Sequence, residues 1–137
     1  METLGNNIKV LIIAANSFIC YYLGGYDGLL GTLIMFVVID YATGVMRAVA
    51  EKKLSSKIGA RGIMKKMLIF LFVGIAQRFD RYLFSDSEML RTAVIFFYIS
   101  NEGISLLENA NAIGLPIPEK LKNALAQLKT KGGGKDE

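Results

Sequence analysis

Apolar residues in this chain are gathered into long runs separated by short polar stretches. The first run extends from about Ile8 to Leu23, and the second occupies about Gly28 to Ala50. A third, MLIFLFVGIA, follows Lys66, and a fourth centres on TAVIFFYIS. A helix crossing a bilayer needs roughly 20 mostly apolar residues. The third run is short by itself. It reaches that length only with Ile63 and Met64 at one end and Phe79 to Phe84 at the other, with Lys65, Lys66, Arg78 and Arg81 snorkelling. An interfacial or re-entrant segment is the alternative for it. The pattern predicts an all-α fold, an integral membrane bundle of about four transmembrane helices at about 8–23, 28–50, 63–84 and 89–107. Residues 1–113 then form one transmembrane domain.

Beyond Gly114 the stretch LPIP stops the fourth helix, because proline cannot donate to the helical ladder. A new helix starts near Pro118, with Leu121, Leu125 and Leu128 as an apolar stripe among Lys120, Lys122 and Lys129. Residues 114–137 are expected to form a C-terminal cytoplasmic amphipathic helix followed by a flexible tail, KTKGGGKDE. The stripe fits docking on the chain's own domain or on the membrane, and a partner-binding zipper is the other reading.

Charge orients the runs. The segment from Ile39 to Lys66 carries Arg47, Lys52, Lys53, Lys57, Arg61, Lys65 and Lys66 against Glu51 alone. A cationic loop between two apolar runs is expected on the cytoplasmic side. The connections at 24–27 and 80–91 have no such excess, so four spans place both termini in the cytoplasm. Leu54 and Ile58 allow a short helix on the headgroups, which Gly59 and Gly62 would end or bend. Gly24, Gly25 and Asp27 make a tight turn, and Tyr21, Tyr22 and Tyr26 gather at the headgroup level beside it. The first run, with little charge before it, reads as a retained span rather than a cleaved signal.

Composition narrows the function. Of 137 residues 53% are hydrophobic, and the net charge is +4. The mean hydropathy is +0.40. The positive charges flank apolar runs, so anionic lipid headgroups fit them better than nucleic acid. The chain has no His and one Cys, which removes the commonest general base and any internal disulfide. Cys20 reads as a small buried hydrophobe, with a bridge between two copies as the alternative. No catalytic residue, metal site or cofactor is expected, and the chain does not read as an enzyme.

The candidate functional residues are polar groups inside the apolar runs. Asp40 lies about 18 Å along a helix from Gly28, deep in a bilayer. An acid there should face protein or water. Arg47 shares its helix face, and Gly44 between them leaves room for another backbone. On the fourth run Asn101 and Glu102 are followed by Ser105 and Asn109, and Glu102, Ser105 and Asn109 form one polar stripe. Asp40 either faces other copies or a water-filled lumen, or it pairs within one chain with Arg47 or a basic residue of the third span. Gly28, Gly31, Ala42 and Gly44 suggest a close-packing face. Two intramembrane carboxylates also fit a proton path in a small transporter.

The motifs DYATG, KKLSSKIG, NEGISLLENA and GLPIPEKL occur in that order, and together they resemble a known family. The chain is similar to phage holins of the toxin-secretion/phage-lysis type, which include the holin-like exporter of clostridial large toxins. The resemblance covers roughly Gly28 to Leu128. It implies a protein of the bacterial cytoplasmic membrane that accumulates, oligomerises with itself at a programmed moment, and opens a lesion. Endolysin or a toxin then crosses without necessary direct contact. An antagonist that co-assembles with a true holin, and a small ion channel or transporter subunit, are the rival expectations.

Overall fold

The computed structural model describes residues 1–132, which form five helices and no strand: α1 (Glu2–Leu23), α2 (Gly28–Ala50), α3 (Ser56–Leu83), α4 (Met89–Ile113) and α5 (Glu119–Gly132). Local chemistry sets their ends. At Gly24 and Gly25 φ is 85° and 96°, a left-handed turn that closes α1. Asp27 opens α2 by accepting from the Leu30 N–H at 2.8 Å. After α2, Lys52 adopts φ 55° and the Lys53 N–H returns to the Ala48 carbonyl at 2.8 Å. Ser55 then caps α3 by accepting from the Ile58 N–H at 3.2 Å.

Several boundaries differ from those expected. α1 begins at Glu2 rather than near Ile8, and α4 continues to Ile113 rather than ending near 107. The separate interfacial helix around Leu54 and Ile58 does not form. α3 instead runs through Gly59 and Gly62, which do not end it. A helix-interior glycine costs only about 1 kcal/mol against alanine, which a helix this long absorbs. α5 takes in the start of the expected tail as far as Gly132, and residues 133–137 lie outside the described residues.

α2, α3 and α4 form the bundle, with α5 laid back along α4. Their core joins Leu30, Leu33, Val37, Ile69, Val73, Ile95 and Ile99, and Leu128 of α5 packs against it. The Ser100 hydroxyl donates to the Leu125 carbonyl, so α5 docks on its own chain. α1 joins the bundle only near its C-terminal end, through Tyr22 and the buried Leu23.

Much of the outer surface is apolar. Leu11, Phe18, Val38, Met67 and Leu71 are each at least half exposed. So large a display of hydrophobic side chains marks a surface meant for lipid or for other protein. Among the described residues α1 and α2 are long and apolar enough to cross a membrane. α3 and α4 are longer still, but charges and amides interrupt their apolar runs.

Candidate functional site

Asp40 of α2, Lys66 of α3 and Glu102 of α4 meet in the bundle. The Lys66 ammonium donates to both Asp40 Oδ2 and Glu102 Oε2. Asn109 is two turns beyond Glu102 on the same face of α4. Its Nδ2 donates to Asp40 Oδ1 at 3.1 Å and to Thr43 Oγ1 at 3.2 Å. Asp40, Glu102 and Asn109 are buried, and Lys66 is nearly so. Taking charges from water is costly unless each is paired and hydrogen-bonded. Here the hydrogen bonding is complete: among the described residues no buried side-chain nitrogen or oxygen lacks a partner. Two carboxylates share one ammonium, and the three helices are held in a single register.

A second network lies at the opposite end of the bundle. Arg91 is 2% exposed, and its guanidinium donates to the Leu23 carbonyl at 2.7 Å, the Gly25 carbonyl at 3.1 Å and Asp27 Oδ2 at 2.6 Å. Asp80 of α3 accepts from the Leu90 and Arg91 N–H groups at 2.9 and 2.7 Å. It thereby caps α4 from a neighbouring helix, a service Glu88 does not provide. Burial raises the Asp27 carboxyl, but the hydrogen bonds from Arg91 and Leu30 and the Arg91 charge outweigh this and leave it below the usual range. Close by, the Arg78 guanidinium stacks on Tyr21 at 4.5 Å, so the cation faces an aromatic ring.

Two clefts adjoin these networks. One, of about 610 Å³, opens between α2, the first half of α3 and α4, and reaches Asp40 and Lys66. The other, of about 560 Å³, lies at the α1–α2 turn beside Cys20 and Arg81.

The candidate residues therefore separate. Asp40 and Glu102 come together through Lys66, and Gly44 and Ser105 line the adjoining cleft. Arg47 does not pair with Asp40. It turns to Glu51, at 3.0 Å, and its hydrogen bond holds that carboxyl below the usual range. Asn101 is half-buried and outside the Lys66 network. Of the basic loop, Arg61 and Lys65 line the cleft, whereas Lys52, Lys53 and Lys57 are exposed elsewhere.

Of the small residues Gly28, Gly31, Ala42 and Gly44, a β-carbon at Gly28 or Gly31 would meet nothing within 4 Å in the single chain, Ala42 is exposed, and one at Gly44 would stand 3.6 Å from Asn109 Nδ2. The close approaches are at Gly24, under Gln77 and Arg91, at Gly74, under Tyr22, and at Gly103, under Leu125 and Phe36. Cys20 is half-buried on the open cleft rather than fully enclosed. Arg91 and Asp80 were not foreseen. Their only sequence signal is charge at the ends of apolar runs, which snorkelling explains equally well.

The sequence profile of the bacteriophage holin family matches residues 17–130. A protein of Clostridium perfringens, described as an uncharacterized 14.9 kDa protein in the nagH 3′ region, is 47% identical over 131 residues. That match covers 96% of this chain and 99% of the relative. An uncharacterized protein of Listeria monocytogenes is 38% identical, with 95% and 92% covered. A protein of Bacillus phage phi105 described as a probable holin is 34% identical over 116 residues, 85% of each chain. No solved structure matches the chain.

Proposed function

The chain belongs to the bacteriophage holin family, and from that premise we propose that it acts as a holin, accumulating in the bacterial cytoplasmic membrane and self-assembling into a lesion. Endolysin or a toxin crosses that lesion, giving timed lysis or protein release, and no enzymatic step is involved. The observation that carries this reading is the inside-out distribution of polarity. The Lys66 network lies between helices that turn many apolar side chains outward. A bilayer favours that arrangement.

Four spans follow. α1 and α2 cross by apolarity alone. α3 and α4 cross because the bundle pairs their buried charges, Lys66 with Asp40 and Glu102, and Arg91 with Asp27. The basic segment between α2 and α3 then faces the cytoplasm, with both termini and α5 on that side. In the assembled state Asp40, Glu102 and their neighbours Gly44, Ser105 and Asn101 exchange intrachain partners for partners in other copies or for lumen water.

Inducible expression beside a folded cytoplasmic reporter protein tests the reading. Abrupt appearance of the reporter outside the cell supports a protein-passing lesion. Escape of small solutes alone points instead to a channel or transporter subunit.

A further inference from the structure

The cleft beside the Lys66 network carries a separate inference, which rests on the membrane placement proposed above. We infer that it binds the headgroup of one anionic phospholipid per chain, with Arg61 and Lys65 as the cationic contacts.

The cleft holds about 610 Å³ and sits where the basic segment meets the bundle. Arg61 and Lys65 are one turn apart on α3 and share its cleft face. The neighbouring cations are already committed, Lys66 to Asp40 and Glu102, and Arg47 and Lys53 to Glu51. Arg61 and Lys65 form no ion pair among the described residues, while Asp40, the one carboxylate in the lining, is held by Lys66 and Asn109.

Gly59 and Gly62 let the Tyr41 ring lie against α3 at the cleft, 3.3–3.5 Å from where their β-carbons would stand. Met64 and Leu68, exposed on the same face of α3, continue from these two cations toward the bilayer interior. A free phosphate would use the charges and leave that apolar face bare. A phospholipid uses both, its phosphate between Arg61 and Lys65 and its upper acyl chain along Met64 and Leu68. Basic pockets between membrane helices on the cytoplasmic side suit such headgroups.

The test uses the full chain purified in detergent and titrated with phosphatidylglycerol or phosphatidylcholine, bound lipid being counted by native mass spectrometry. One tightly held phosphatidylglycerol per chain, not displaced by phosphatidylcholine, is the expected result. R61Q/K65Q should weaken it on the order of tenfold, and K52Q/K53Q, with the same loss of charge outside the cleft, should not. Gly59→Leu keeps every charge and fills the cleft, and it should weaken binding as well. Equal losses in the two double variants would overturn the site in favour of diffuse attraction. Full displacement by inorganic phosphate would overturn the lipid assignment. Alkaline extraction of membranes, run on each variant, reports separately on whether the chain is an integral membrane protein.

Discussion

Tyr22 occupies the space that Gly74 leaves empty. A β-carbon on Gly74 would lie 1.7 Å from the Tyr22 ring, and the Tyr22 hydroxyl donates to the Leu71 carbonyl at 2.8 Å. This contact, with the buried Leu23 and the Arg91 hydrogen bond to its carbonyl, attaches the end of α1 to the bundle, while most of α1 is exposed. Gly74→Ala should therefore displace Tyr22 and loosen the packing of α1 on α3, leaving α2 to α4 folded. Cysteine cross-linking between α1 and α3 in a Cys20→Ser background measures it, and an unchanged yield would contradict the contact.

Lys66 is the one cation between two buried carboxylates. Lys66→Met leaves Asp40 and Glu102 side by side without compensation, which should destabilise the bundle by about 3–5 kcal/mol. Replacing all three by apolar residues of similar size should recover most of that loss. Unfolding of the micelle-bound protein in increasing sodium dodecyl sulfate distinguishes the two variants. If Lys66→Met is as stable as the parent, the network does not hold the helices together.

Asp27 gives a pH dependence of definite sign. Its folded carboxyl titrates below its ordinary value of 3.8. The stability it contributes is thus fully present above that value and is lost as the pH falls through the lower, folded one. Asp27→Asn keeps an oxygen to cap Leu30 but loses the charge facing Arg91. Its Tm should lie below the parent's near neutrality, with the gap closing below pH ~3.8. A gap independent of pH would show that the charge is not what matters.

Leu125 seals α5 against Gly103 and Phe36. Leu125→Ala should cost about 2–5 kcal/mol of packing. The loss falls on α5 alone if that helix opens separately from the bundle. Hydrogen exchange should then accelerate across α5 while α2 and α4 stay protected. Uniform acceleration in all the helices would contradict separate opening.

Much of this architecture was legible in the sequence. The four apolar runs became α1 to α4, and the proline-bounded segment became α5. Asp40 stood out because a carboxylate within an uncharged run needs a partner, and Glu102 and Asn109 because they recur at helical spacing. The partner itself was harder to read. Lys66 borders the cationic segment, and nothing local separates a lysine that snorkels from one that turns into the bundle. Arg47 illustrates the reverse error: helical spacing placed it over Asp40, but Glu51 lies one turn away and nearer water, where pairing entails less desolvation. Gly74 and Gly103 escaped notice for a related reason. A glycine's value in packing depends on the side chain opposite, here Tyr22 or Leu125, which is distant in sequence.

The most direct test of the account is inducible expression in a bacterium with and without a cytoplasmic endolysin, following viability and turbidity together. A holin should cause abrupt loss of viability, with lysis only when the endolysin is present. Continued growth in both cultures would contradict the account and leave an antagonist of another holin as the reading to pursue.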